Sequence, residues 1–471
     1  MVRLYKIDSP IADWHSWRQA DTAAVARSFY QEGFNPLLPR YNDMSAVAEN
    51  PQPNPQRFRL VEFPFYNSIV YLVYVFNGGV DEKLARLVSS LFSLGSLIFV
   101  FLLAKKYFGI YIALLSVLLY AILPFNVFFS RTILPEPSLV FFSLGMLFFL
   151  DLWIQKNTLN LYFLGLIFTA LAFLTKPMAI FYLLPLIYSY YKQEKKFWPI
   201  PKRYFYLLIA FIPFFAWRFW ISQHPEGIPA SNWLFNGTGI RFRPAFWKWI
   251  IGDRFGREIL GVAGTFLFLI GLLIKPTLNQ GWLLHLLSFS SLGYLIVFAT
   301  GNVQHDYYQY MIMPALVIFV SRGFALLFQG IPGFLPRILT IPLAILFLIL
   351  TIYLTWNEVK GLYQINNPII VEAGREADKI LPKEAVVIAN YNGDTSFLYQ
   401  TNRNGFPNVP YPTKDLIDRY SVSHYISTTL DAKTKWIMRK YKVIVDRGSY
   451  VIVNLKEENP GFDATYDKEP N

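Results

Sequence analysis

A mainly α-helical, polytopic membrane protein with a small α/β domain at its C-terminal end is the fold class this sequence predicts, on three observations. Hydrophobic residues make up 54% of the 471 residues and aromatics 18%, while charged residues reach only 16%, well under the roughly 25% of a soluble domain. The apolar residues gather in runs long enough for helices that cross or nearly cross a bilayer. Between those runs the Lys and Arg residues fall in alternate loops. With 12 Trp, 30 Tyr and 43 Phe, the chain holds more aromatic surface than a water-facing fold can hide, so lipid is the solvent for much of it. Disorder, a coiled coil and a disulfide scaffold are excluded. The absence of cysteine removes a thiolate zinc site and a Cys nucleophile as well.

Taken in order, the apolar runs predict ten spans, near 85–104, 108–124, 138–154, 161–175, 178–191, 204–221, 259–274, 281–299, 311–328 and 337–356. Alternate loops carry Lys105 and Lys106; Lys156; Lys192, Lys195, Lys196, Lys202 and Arg203; Lys275; then Arg322 and Arg337. Glu194 is the one clear acid set against them. These loops read as cytoplasmic by the positive-inside rule. The net charge of +12 is therefore a topology signal, and a nucleic-acid partner is not expected.

The opposite parity places residues 1–84, 125–137, 222–258, 300–310 and everything after 356 outside a multi-pass protein of the cell membrane. Residues 1–84 form an extracytoplasmic region with a short amphipathic interfacial helix at 67–77 (NSIVYLVYVFN). Residues 85–356 are the transmembrane domain. Residues 357–471 form a polar α/β domain, with helices near 368–380 and 413–419, a strand at 385–389, and a hairpin of 441–446 with 450–455 turning through Arg447, Gly448 and Ser449. A polar head that reaches the outside without a preceding helix or a signal peptide is awkward. The expectation is that the chain starts inside a longer gene or that one more helix precedes it.

Several chemistries lose support at once. There is no G-x-x-x-x-G-K-[ST] loop, no G-x-G-x-x-G after a strand, no H-E-x-x-H and no G-x-S-x-G. What remains is a set of ionisable residues at the outer boundary. Asp21 follows Trp17-Arg18-Gln19-Ala20 and precedes an apolar helical pattern, so it reads as an N-cap at or just before the first turn, a role compatible with that of a base. Glu62 lies in a turn, Glu62-Phe63-Pro64. Arg86 opens the first span, where snorkelling is the ordinary account. Arg131 and Glu136 share a tight loop, Glu136 beside Pro137 at a helix start. Lys176 ends a span on the outer side, against the positive-inside pattern. His305, Asp306 and Tyr308 stand in an aromatic-rich loop that also suits an interfacial belt. Each has a bland explanation alone, but all of them converge on one membrane face.

The order of these residues resembles a known family. Trp17-Arg18-Gln19-Ala20-Asp21-Thr22-Ala23, Glu62-Phe63-Pro64, Ala85-Arg86-Leu87, Arg131 to Glu136 and Leu174-Thr175-Lys176 look like the family 39 (PMT/Rgt-like) membrane glycosyltransferases of GT-C fold. The resemblance covers residues 13–190 well and the rest by architecture. In that family the first outer loop carries an Asp-Glu pair whose Asp is the catalytic carboxylate; here the pair is Asp21-Thr22. A second acidic position falls on Glu136, where Asp is more usual. The family's first transmembrane helix should precede the Asp loop and is missing from this chain.

The resemblance implies an inverting transfer of a sugar from a polyprenyl-phosphate carrier to a glycan, lipid or protein acceptor. Asp21 would be the general base, with Glu136 as its catalytic companion. Lys176, Arg131, Arg86 and His305 would stabilise the departing phosphate. Arg18, Glu62, Asp306 and Tyr308 would hold the acceptor or the sugar. A divalent metal, Mg or Mn, is an open option for a two-carboxylate site. The alternative is a lipid or glycan transporter or flippase, which calls for charges in mid-span, and the ten spans are nearly bare of them.

Overall fold

The computed structural model of the protein describes all residues except 50–52, 196–200, 238, 278–280, 332, 463–467 and 471, and the backbone alone for 201–204. Lys196 of the basic loop therefore lies outside the described residues, as do the side chains of Lys202 and Arg203. The chain divides into two compact units. One comprises Met1–Ile7, Arg86–Trp220 and Ser231–Tyr363; the other comprises Asp8–Ala85, Ile221–Ala230 and Gln364–Asn471. The N-terminal head and the C-terminal segment thus share one unit.

The first unit is helical. Glu82–Phe108, Glu136–Lys156, Asp306–Gln329 and the run Arg337–Ile380, of which residues 82–85 and 364–380 count with the second unit, are long and apolar enough to cross a membrane, among the described residues. A fifth is counted if Pro244–Ile259 and Gly261–Leu273, bent by 112° where they meet, are one span. Ile110–Ile122, Leu159–Thr175, Phe205–Ile221 and Leu283–Val297 are apolar but shorter. Helix stands at all ten expected positions, but proline shortens several of the segments. The expected span 178–191 is a 3-10 turn, Pro177–Ala179, then Ile180–Leu183 and Leu186–Glu194, parted at Pro185. Ile110–Ile122 ends before Leu123-Pro124, since the residue before proline avoids helical backbone.

Two helices of this unit come into backbone contact. A Cβ on Gly271 would lie 1.9 Å from the Phe319 carbonyl oxygen, and one on Gly323 would lie 2.2 Å from that of Leu267. Glycine at both positions lets Gly261–Leu273 and Met313–Gln329 pack closely, as small residues do between apolar helices. The region 222–258, read as a loop, holds short helical turns and a twelve-residue π-helix, Lys248–Ile259. Residues 123–140 are buried throughout, so the segment 125–137, read as a tight outer loop, is packed inside the protein, and its first residues belong to the helix Pro124–Phe129.

The spans are also less bare of charge than expected. Asp151, fully buried in Glu136–Lys156, accepts from Tyr107 Oη at 2.6 Å, Ser189 Oγ at 2.6 Å and Gln155 Nε2 at 2.9 Å, and it pairs with Lys106. Four partners on three helices satisfy this carboxylate in place.

The second unit is built on a five-stranded sheet ordered β2-β1-β3-β5-β4, with β1 at Val386–Asn390, β2 at Asn404–Phe406, β3 at Val422–Ser427, β4 at Tyr441–Asp446 and β5 at Val451–Glu458. Strands β2, β1 and β3 run parallel, while β5 pairs antiparallel with both β3 and β4. Alternation divides the side chains between two cores. Val387, Ala389, Ile426 and Ile452 join Ile370, Ala373 and Phe397 on one face, and Ile388, Tyr425, Val451 and Val453 join Leu416, Trp436 and Ile437 on the other. Asn367, Asp394 and Asp431 cap the helices Pro368–Ile380, Thr395–Gln400 and Ala432–Lys440 through their side-chain oxygens. The head supplies the helices Ser16–Glu32 and Phe65–Asn77.

Candidate functional site

The helical unit brings Glu136 and Lys176 together through a helix hairpin. Glu136 is the first residue of Glu136–Lys156, with Pro137 in the first turn, where the helix dipole favours a carboxylate. At the far end Asn157 takes left-handed backbone (φ 52°), and Leu159–Thr175 returns along the first helix. Lys176 terminates it in extended conformation because Pro177 follows. The Lys176 ammonium then donates to Glu136 Oε1. Glu136 is 2% exposed and Lys176 8%. The ammonium also lies 5.3 Å from the Tyr308 ring centroid and 6.0 Å from that of Tyr307.

Arg86 and Arg131 are completely buried, so Arg86 does not snorkel. Arg86 Nη1 donates to the Ile7 carbonyl at 3.0 Å, and Arg131 Nη1 donates to the neighbouring Lys6 carbonyl at 2.9 Å. Arg131 also sits 4.5 Å from the Tyr363 ring centroid. These two cations grip consecutive residues of the N-terminal segment. Asp306 faces Arg254 at 3.7 Å, and Arg254 pairs with Glu258 at 2.5 Å on its own helix. His305 stacks on Tyr307 and meets Trp233 edge-on.

The second unit holds Asp21, and the expected cap is corrected here. The helix begins at Ser16, with His15 in left-handed backbone (φ 54°) at the N-cap. Asp21 is therefore inside the helix, in its second turn, and 4% exposed. Its Oδ2 pairs with Arg59 at 2.8 Å, and its Oδ1 accepts from Thr395 Oγ1 at 2.7 Å. One turn earlier Arg18 pairs with Glu62 at 2.7 Å. Thr22, which stands where the family has Glu, returns its hydroxyl to the Arg18 carbonyl at 2.9 Å. Asn67 Nδ2 donates to the Thr22 carbonyl at 2.6 Å, tying in the helix Phe65–Asn77. Arg18, Asp21, Thr22, Val25, Arg59 and Glu62 line a narrow polar cleft.

The sequence reading missed Arg59, Thr395, Tyr41 and Asp43. The only trace of Arg59 was the alternation Arg57-Phe58-Arg59-Leu60 ahead of Glu62. Thr395 lies far along the chain and gave no signal. A divalent metal does not fit these residues. Asp21 is held by Arg59 and Glu136 by Lys176, so each carboxylate already has its cation. Among the described residues no three His, Cys, Asp or Glu side chains gather as ligands.

The fold is that of the GT-C membrane glycosyltransferases. The structure is similar to that of ArnT from Cupriavidus metallidurans bound to undecaprenyl phosphate, with a TM-score of 0.61, 14% identity and coverage of 96% of each chain. It is also similar to the apo oligosaccharyltransferase of Archaeoglobus fulgidus, with a TM-score of 0.56 and 11% identity over 93% of this chain and 69% of that one. Residues 64–220 match the family model of the dolichyl-phosphate-mannose-protein mannosyltransferases. A further relative is an uncharacterised protein of Aquifex aeolicus (strain VF5), 27% identical over 282 residues, which are 54% of this chain and 63% of that protein. The chain thus spans a little under two thirds of that relative's length.

Proposed function

We propose that the protein is an inverting glycosyltransferase that moves a sugar from a polyprenyl-phosphate donor to a hydroxyl-bearing glycan, lipid or protein acceptor on the outer face of the cell membrane. The observation that carries the reading is the buried Glu136–Lys176 pair across the open ends of an apolar helix hairpin. Burying two ions in a membrane unit is unfavourable unless they are paired, and ionisable residues kept there mark functional sites. The likeness to ArnT, solved with undecaprenyl phosphate, supports a lipid-phosphate donor.

In this reading the acceptor oxygen attacks the anomeric carbon, the new C–O bond forms on one face, and the bond to the carrier phosphate breaks on the other. Asp21 takes the acceptor proton. Lys176, with Arg86, Arg131 and His305, offsets the charge that grows on the leaving phosphate. Arg18 and Glu62, which line the Asp21 cleft, orient the acceptor or the sugar, and Asp306 and Tyr308 are assigned the same role from the resemblance alone.

The test is transfer of labelled sugar by the purified protein in liposomes, from a panel of polyprenyl-phosphate sugars. Lipid-linked sugar that crosses the bilayer without any transferred product would favour the flippase alternative. Sidedness is tested separately by single-cysteine labelling, which is clean in a cysteine-free chain. A cysteine at position 430 should react with an impermeant reagent in intact cells, and labelling only after lysis would reverse the map.

A further inference from the structure

Asp43 is buried in the second unit and was given no role by the reaction above. It is placed by the sheet: Gly405 N donates to the Asn42 carbonyl at 3.0 Å, and Met44 N donates to the Gly405 carbonyl at 2.8 Å, so the segment lies parallel beside β2. Glycine is required at 405, because a Cβ there would lie 1.8 Å from the Val387 carbonyl oxygen. A separate ribbon positions its neighbours. Tyr41 N donates to the Arg57 carbonyl and Arg59 N to the Pro39 carbonyl, each at 2.9 Å. The result is a buried chain of contacts. Tyr41 Oη donates to Asp43 Oδ2 at 3.4 Å, the Arg59 guanidinium lies 5.3 Å from the Tyr41 ring centroid, and Arg59 pairs with Asp21 at 2.8 Å.

A single guanidinium thus pairs with one buried carboxylate, Asp21, and lies over the ring of the tyrosine that donates to a second, Asp43. Were Asp21 and Arg59 alone, their charges would cancel; with Asp43 ionised, the group carries one net negative charge. We propose that Asp43 is a positioning residue for Asp21, acting through Tyr41 and Arg59 to offset the guanidinium so that Asp21 stays able to take the acceptor's proton. The inference rests on the reading of Asp21 as the base. Burial pushes the Asp43 carboxyl up to about 6, against the opposing backbone bond from Ser45, with Asp21 adding to the rise and Arg59 opposing it. Burial and Asp43 also raise the Tyr41 phenol. Asp394, at the N-cap of Thr395–Gln400, is also raised, by burial and then by Asp21.

The experiment measures kcat and KM for the lipid donor against pH in Asp43→Asn, Tyr41→Phe and Asp21→Asn, with a melting curve for each. Asp43→Asn is expected to lower kcat roughly tenfold, to leave KM unchanged, and to remove an ionisation near pH 6 from the acid limb. Tyr41→Phe keeps the ring under Arg59 and should lower kcat by less while shifting the same limb. A folded Asp43→Asn protein with parental kcat and acid limb overturns the inference, as does an effect on KM alone. If Asp43→Asn does not fold, a parental profile for Tyr41→Phe overturns it instead. Loss of activity in Asp21→Asn beside a parental Asp43→Asn defeats this inference alone, whereas parental activity in Asp21→Asn defeats the base assignment and this inference with it.

Discussion

The Lys176 ammonium donates to Glu136 Oε1, so the residue that ends one helix in extended backbone is bound to the first residue of the helix before it. The hairpin makes this contact possible, and the burial of both groups makes it consequential.

Removing one partner leaves the other charge unpaired inside the protein. Lys176→Ala should therefore destabilise the fold by about 3–5 kcal/mol as well as abolish transfer. The double variant Lys176→Met with Glu136→Gln should recover most of the stability and none of the activity. Melting curves beside transfer assays check this; a single variant that melts like the parent would show that the pair does not hold the hairpin.

Asp21→Asn should lower transfer by roughly a hundredfold or more, the usual worth of a positioned base. Because Asp21 pairs with Arg59 inside a helix, the change is not neutral for stability as it would be at a cap. Leaving Arg59 without its carboxylate should cost about 1–3 kcal/mol. Adding Arg59→Gln should restore the melting temperature while activity stays low. Parental transfer by Asp21→Asn would place the base elsewhere.

Asp43 makes stability depend on pH in a definite direction. Its carboxyl is raised from 3.8 to about 6 in the folded protein, so the native state binds more protons than the unfolded chain between those values. Stability falls as pH rises through that window and stays lower above it, by on the order of 2–3 kcal/mol. Asp43→Asn removes the titration. It should melt higher than the parent at pH 7.5 and at the same temperature near pH 4; equal melting at both values would contradict the assignment.

Gly271→Ala forces a methyl group against the Phe319 carbonyl, at 1.9 Å before any movement. It should destabilise by about 1–3 kcal/mol as the two helices part. Gly252→Ala, where an added Cβ meets nothing within 4 Å, is the control and should stay within about 0.5 kcal/mol of the parent. Thermal melts in detergent distinguish them.

Composition and the runs of apolar residues were enough to read a polytopic helical membrane protein, because burial in lipid demands a local pattern that each helix carries in its own sequence. The helix Pro368–Ile380, the strand β1 and the hairpin β4–β5 were legible for the same reason. The central strand β3 was not. Ser423, His424 and Ser427 break its apolar pattern, and all six of its residues are buried only because neighbours cover both faces. Asp21 was legible as a residue of interest, but its place inside the helix was not. The helix starts five residues earlier, at Ser16, after a left-handed His15 that no sequence pattern announces.

The sequence by itself determined the class of protein, the positions of the ten apolar helical segments and most of the charged residues worth testing, since each of these depends on residues near one another along the chain. Only the tertiary structure decided their partners. Arg59 and Thr395 meet Asp21 from 38 and 374 residues away, Asp43 is set in place by Gly405, and Arg86 and Arg131 turn to the carbonyls of Ile7 and Lys6. A buried charge must find a partner wherever the folded chain brings one, and spacing along the sequence carries no record of which residue that will be.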